Sequence, residues 1–167
     1  WLALAESLGK QFVAKEIEAD EGDEFVSENI AQLKASGLVT AGVPSELGGG
    51  GASFVDLCSV LRTLGRYSSS TALAFSMHTH QVMVPTWRWH HQNAPVEGLL
   101  KRVATEQIIL VSSGGSDWLQ SAGKAIKVDG GFLVTARKVF ASGSPVGDLL
   151  ITSAVYDDPE HGATVIH

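Results

Sequence analysis

Lys124-Ala125-Ile126-Lys127-Val128-Asp129-Gly130-Gly131-Phe132-Leu133-Val134-Thr135 is where this sequence changes its period. Two short apolar runs of β type flank Asp129-Gly130-Gly131, whose residues tolerate the positive backbone angles of a tight hairpin turn. Outward from the hairpin, Ile108-Ile109-Leu110-Val111 and the run from Leu149 to Val155 read as further strands. Asp157-Asp158-Pro159 turns the chain, and Ala163-Thr164-Val165-Ile166 begins another strand. Residues before about Thr105 follow a different rule. Leu2, Ala5, Leu8, Phe12, Val13 and Ile17 recur at helical spacing, as do Phe25, Ile30, Leu33 and Leu38, with Gly37 as a stop. Ser53 is placed to cap a helix through Phe54, Leu57, Val60, Leu61 and Leu64, and Ser70 one through Leu73, Ala74, Met77 and Val82. A last helix covers about Val96 to Ala104. The fold class is therefore α+β and multi-domain: an all-helical domain over residues 1–106, then the opening strands of a β domain over 107–167.

Composition narrows the function classes. Hydrophobic residues are 44% and charged residues 18%, which is a globular balance. The net charge of −6 comes without any run of Lys or Arg, so neither nucleic acid nor an anionic membrane surface is the expected partner. Cys58 is the single cysteine, so no internal disulfide framework exists, and its neighbours Val55, Leu57, Val60 and Leu61 suggest a buried small residue. No stretch has the ~20 apolar residues that span a bilayer, and no signal-peptide pattern opens the sequence, which gives a cytoplasmic expectation. The sequence starts at Trp1 inside an amphipathic pattern and stops at His167 inside a strand pattern, so it reads as part of a longer chain. Metal binding is not expected. His78 and His80 are two apart and would leave a helix on different faces, and His90-His91 lacks a Cys or carboxylate cluster. Trp87 and Trp89 read as anchors of a core or an interface.

Four motifs occur in one order. Gly37-Leu38 precedes Val43-Pro44-Ser45-Glu46-Leu47-Gly48-Gly49-Gly50-Gly51. The segment Leu61 to Ala74 follows, with His78 after it, then Gly115-Ser116-Asp117, then Lys138-Val139-Phe140-Ala141-Ser142-Gly143. Together they resemble the acyl-CoA dehydrogenase superfamily over about Phe25 to Val155. The resemblance implies a helical domain, a middle β domain that holds a flavin, and a C-terminal four-helix domain absent from this chain.

It also implies site roles. Val111, Ser112 and Ser113 take the strand-end position facing the flavin's carbonyl edge. Phe140, Ala141 and Ser142 form a second cofactor-binding segment, Phe140 packing on the ring and Ser142 placing a hydroxyl near N5, where a donor stabilises arriving electron density. Ser116 and His78 are implied substrate contacts, Ser116 near a phosphate. The catalytic residue is unknown, because the family's carboxylate base belongs to the C-terminal domain, beyond His167. Ser112-Ser113-Gly114-Gly115 departs from the family's Thr-Glu-Pro and longer turn.

The leading expectation is an FAD-dependent dehydrogenase that desaturates an acyl-CoA thioester and passes electrons to an electron-transfer flavoprotein. The alternative is a two-component monooxygenase on the same fold, using FMN from a flavin reductase to oxidise an aromatic or heteroatom substrate. A third reading is a non-catalytic helical binding module. The family expectation for assembly is a homo-tetramer or homo-dimer.

Overall fold

The computed structural model describes residues 1–115, 117 and 119–167. Five helices come first: α1 (Leu2–Glu21), α2 (Ser27–Ala35), α3 (Phe54–Gly65), α4 (Ser69–Gln92) and α5 (Glu97–Glu106). Six short strands follow: β1 (Leu110–Ser112), β2 (Lys124–Val128), β3 (Gly131–Thr135), β4 (Leu149–Ile151), β5 (Ala154–Asp158) and β6 (Gly162–Ile166).

Each helix turns an apolar stripe inward, and α3 and α4 also start at a serine cap. On α1, Ala5, Leu8 and Phe12 turn inward. At the start of α3 the Ser53 hydroxyl accepts from the Asp56 N–H while the Asp56 carboxylate accepts from the Ser53 N–H, a closed capping box. The start of α4 differs from the sequence expectation. Ser68, not Ser70, is the cap and accepts from Thr71 N, because Glu16 of α1 takes both the Ser68 hydroxyl and the Ser70 N–H. Helix formation therefore begins before Ser70.

Cys58 also departs from expectation: it is exposed. The inward stripe of α3 is Leu57, Val60 and Leu64, at 3.6-residue spacing, and residue 58 falls off that stripe. It lines an apolar groove of about 480 Å³ between α3 and α4, with Phe54, Leu61, Met83 and Trp87.

The glycine run closes the loop between α2 and α3 by folding back on the chain. Gly50 N donates to Thr40 O at 3.0 Å, and Gly51 N to Val43 O at 2.9 Å. A Cβ on Gly49 would stand 2.3 Å from both Cβ and O of Val43, so only glycine permits this approach.

The strands make two sheets. β1 and β4 pair in parallel, and β3-β2-β5-β6 form a four-stranded mixed sheet. The hairpin expected at Asp129-Gly130 is present, with Val128 opposite Gly131 and Lys124 opposite Thr135. The run from Leu149 to Val155 is not one strand. It breaks at Thr152-Ser153, where the chain leaves the partner of β1 and becomes the partner of β2.

β1 is buried on both faces. Ile109 and Val111 enter one apolar cluster with Phe12, Leu33, Val60 and Phe75, while Ile108 and Leu110 enter a second with Val43, Val82, Leu100 and Val103. The core thus runs past the end of α5, and the first strand is a wedge within the helical layer. No helix among the described residues is long and apolar enough to cross a membrane.

Candidate functional site

The residues expected to form the site lie on two segments that the fold brings side by side. One is the end of β1 with its following turn, and the other is the stretch from Lys138 to Gly143. Two close approaches join them. A Cβ on Gly114, which has φ +88°, would lie 3.9 Å from Phe140 Cβ. A Cβ on Gly143 would lie 3.3 Å from Val111 Cγ1.

A buried polar network locks the pair of segments. Lys138 Nζ lies 2.8 Å from both carboxylate oxygens of Asp117 and donates to Ser153 O at 2.6 Å. Asp117 also accepts from Ser113 Oγ at 2.6 Å and Ala122 N at 2.9 Å, while Ser153 Oγ sits 2.8 Å from Asp117 O and 3.1 Å from its Oδ2. Thr152 Oγ1 donates to Ser113 Oγ at 2.9 Å. The side chains of Lys138 and Asp117 are only 10% and 7% exposed. Burial works against the charged carboxylate. The Lys138 ammonium, the Ser113 hydroxyl, the Ala122 N–H and the Ser153 hydroxyl outweigh it and hold the Asp117 carboxyl well below the usual range. Such a pair is tolerated in a dry environment because each charge finds several partners.

This network places the predicted residues in distinct situations. Ser113 is 4% exposed, and its hydroxyl spans Asp117 and Thr152 as a strut. Val111 and Ser112 are buried at 4% and 5% exposure. Phe140 is 71% exposed, and Ala141 and Ser142 are half-buried. The hydroxyls of Ser112 and Ser142 bond to no described side chain or backbone group, unlike that of Ser113. Ser116 lies outside the described residues.

His78 is 2% exposed, deep in the molecule. Its Nε2 donates to Val39 O at 2.8 Å, and its Nδ1 accepts from Leu110 N at 3.0 Å. The Leu110 N–H fixes the tautomer, because a proton on Nδ1 would oppose it. Burial, only partly offset by the Val39 carbonyl, pushes the imidazole down to about 4. Both ring nitrogens are committed to backbone, so the ring braces β1 against α4 and offers no nitrogen to a substrate. Asp148 was not singled out by sequence and makes a parallel brace: it accepts from Ile109 N at 2.7 Å and from Lys34 at 3.3 Å.

Both halves of the central pair stand in the sequence motifs, but nothing in the sequence joins them. Asp117 is the acid of Gly115-Ser116-Asp117 and Lys138 the base that opens Lys138-Val139-Phe140. The available signal was that each motif carries one charged residue, of opposite sign.

The sequence and fold both have known counterparts. The family model described as acyl-CoA dehydrogenase, N-terminal domain, matches residues 4–94. A dibenzothiophene monooxygenase of Mycolicibacterium goodii is 27% identical over 173 residues, covering 98% of this chain and 40% of the relative. The L-evernosamine nitrososynthase of a Micromonospora species is 31% identical over 143 residues, covering 80% of this chain and 33% of the relative. An FMN-bound dibenzothiophene monooxygenase of a Paenibacillus species shares the fold, with a TM-score of 0.81 at 20% identity over 98% of this chain and 42% of that one. The chain spans about 40% of the length of curated relatives it matches.

Proposed function

The chain belongs to the acyl-CoA dehydrogenase N-terminal domain family, and from that premise we propose that it contributes one wall of a flavin site in a flavin-dependent monooxygenase. The observation that carries this reading is the likeness, over 98% of the chain, to a monooxygenase that oxidises a sulfur heteroaromatic by its name. The likeness to a nitrososynthase points the same way, to oxidation at a heteroatom. Both favour the monooxygenase over the desaturation of an acyl-CoA thioester. The departure at Ser112-Ser113-Gly114-Gly115 from the dehydrogenase pattern agrees with them.

The residues present suit a flavin. Phe140 is a large aromatic standing mostly exposed beside the turn at Gly114, and the uncommitted hydroxyls of Ser112 and Ser142 are donors for a ring edge. Among the described residues other than its chain neighbours, no atom lies within 4 Å of where a Cβ on Gly115 would stand, which suits a ligand near its backbone. In this reading Val111, Ser112, Phe140, Ala141 and Ser142 bind the isoalloxazine, with Phe140 as an apolar wall and Ser142 as the hydroxyl donor. Ser116 stays a proposed contact for a phosphate. Ser113 and His78 hold the frame from inside rather than touching ligands. A bound reduced flavin, delivered by a separate reductase, supplies the electrons with which oxygen is activated for transfer to the substrate. The chain's own part is to orient the ring and keep water from its edge.

The test uses the complete protein with a flavin reductase, NADH and oxygen, and a panel of apolar sulfur and nitrogen heterocycles. Oxygenated product that depends on the reductase supports the reading. Anaerobic bleaching of the bound flavin by an acyl-CoA, with no oxygenation of any heterocycle, overturns it in favour of the dehydrogenase.

A further inference from the structure

We propose that the Lys138–Asp117 pair is a positioning device for the flavin edge, setting the spacing between the Ser112–Gly114 turn and the Phe140–Ser142 segment. The inference rests on the flavin reading above and assigns a role to two residues that touch no flavin themselves. Two stretches meet at the Lys138 ammonium: the connection between β1 and β2, through Asp117 at 2.8 Å and Ser121 at 3.5 Å, and the sheet crossover through Ser153 O at 2.6 Å. Lys138 lies two residues before Phe140, and Asp117 takes the hydroxyl of Ser113, next in chain to Ser112. The two segments that would contact the ring are therefore joined by one buried ion pair and one serine strut. The same two segments also approach each other directly, Gly143 against Val111 and Gly114 beside Phe140. A carboxylate with this many donors has one preferred position, so the spacing is fixed before any ligand arrives.

Removing the ammonium should then degrade flavin binding at a distance. In the complete protein, Lys138→Met is expected to raise the Kd for FMN, read by fluorescence quenching, at least tenfold and to broaden the visible flavin band. Lys138→Arg, which keeps the charge and the reach, should restore both to within about threefold. Ser113→Ala should give an intermediate Kd with the ion pair intact. Thermal melting of each apoprotein separates loss of fold from loss of spacing. Should Lys138→Met fail to fold, Ser113→Ala carries the test alone. Tight wild-type binding with unchanged Kd and spectrum in the folded variants overturns the positioning role and leaves the flavin reading standing. A wild-type protein that retains neither FMN nor FAD overturns the flavin reading, and this inference with it.

Discussion

Lys138 and Asp117 are 21 residues apart in sequence, yet their side chains meet at 2.8 Å through both carboxylate oxygens, nearly out of reach of water. Around them the strand crossover, the turn after β1 and the Phe140 segment are tied into one unit. The geometry makes the pair a hinge point for stability as well as for the site.

Breaking it on one side should cost heavily. Asp117→Asn or Lys138→Met each leaves a buried charge unpaired, and each is expected to destabilise by about 3–5 kcal/mol in urea unfolding. The double variant should lose much less than the sum. Additive losses would show that the two charges are not coupled. Because the Asp117 carboxyl is held below its unfolded value, its stabilisation is complete above about pH 4 and disappears as pH falls through the folded value.

His78 should give the fold a second, milder pH response. The ring stays neutral in the folded protein down to about pH 4, whereas in the unfolded chain it takes a proton near 6.5. Stability from this group is therefore full above pH 6.5 and declines as pH falls towards 4, by on the order of 3 kcal/mol. His78→Gln, whose amide can copy one donor and one acceptor, should flatten the unfolding free energy between pH 6.5 and 4. An unchanged slope would remove His78 as its source.

Two glycines should respond in opposite directions to alanine. Gly49→Ala drives a Cβ into the Val43 backbone and is expected to destabilise by about 2 kcal/mol or more. Gly98, in the first turn of α5, has no described atom beyond its chain neighbours and its own helix backbone within 4 Å of its added Cβ, so Gly98→Ala should stabilise by about 0.5 kcal/mol. Thermal melts of the two variants suffice, and shifts of the same sign would refute the packing argument for Gly49.

Phe140 and Ser142 should behave as ligand contacts rather than framework. Phe140 is 71% exposed and the Ser142 hydroxyl bonds to no described group, so Phe140→Ala and Ser142→Ala should each change stability by about 0.5 kcal/mol or less. Both should weaken FMN binding measurably. Large stability losses with intact FMN affinity would make these residues structural.

Much of this was legible in the sequence, and the misses share a cause. The hairpin at Asp129-Gly130 and the Ser53 cap are decided by residues within a few positions of one another, and the Gly48–Gly51 loop closes on Thr40 and Val43 in the same short segment. The true cap of α4 was not legible, because Glu16 on another helix decides which serine is used. The break at Thr152-Ser153 hides inside an unbroken β-type run, and only the change of partner strand reveals it. Cys58 sits among apolar neighbours in sequence but off the buried stripe in space. His78 and Asp117 were both visible as residues, while their partners, a backbone amide and a distant lysine, exist only after folding.

The place of β1 between the two apolar clusters bears on how the chain assembles. Helical proteins ordinarily consolidate from neighbouring contacts as they emerge from the ribosome. Here the five helices enclose a furrow whose filler, Ile108 to Val111, is synthesised after all of them. Until those four residues arrive, Val60, Phe75, Val82 and Val103 face a vacant trough and the His78 nitrogen has no amide to meet. Seating β1 is what joins the two apolar clusters into one core and gives the His78 nitrogen its amide, so the helical layer is closed by residues that follow it in the chain.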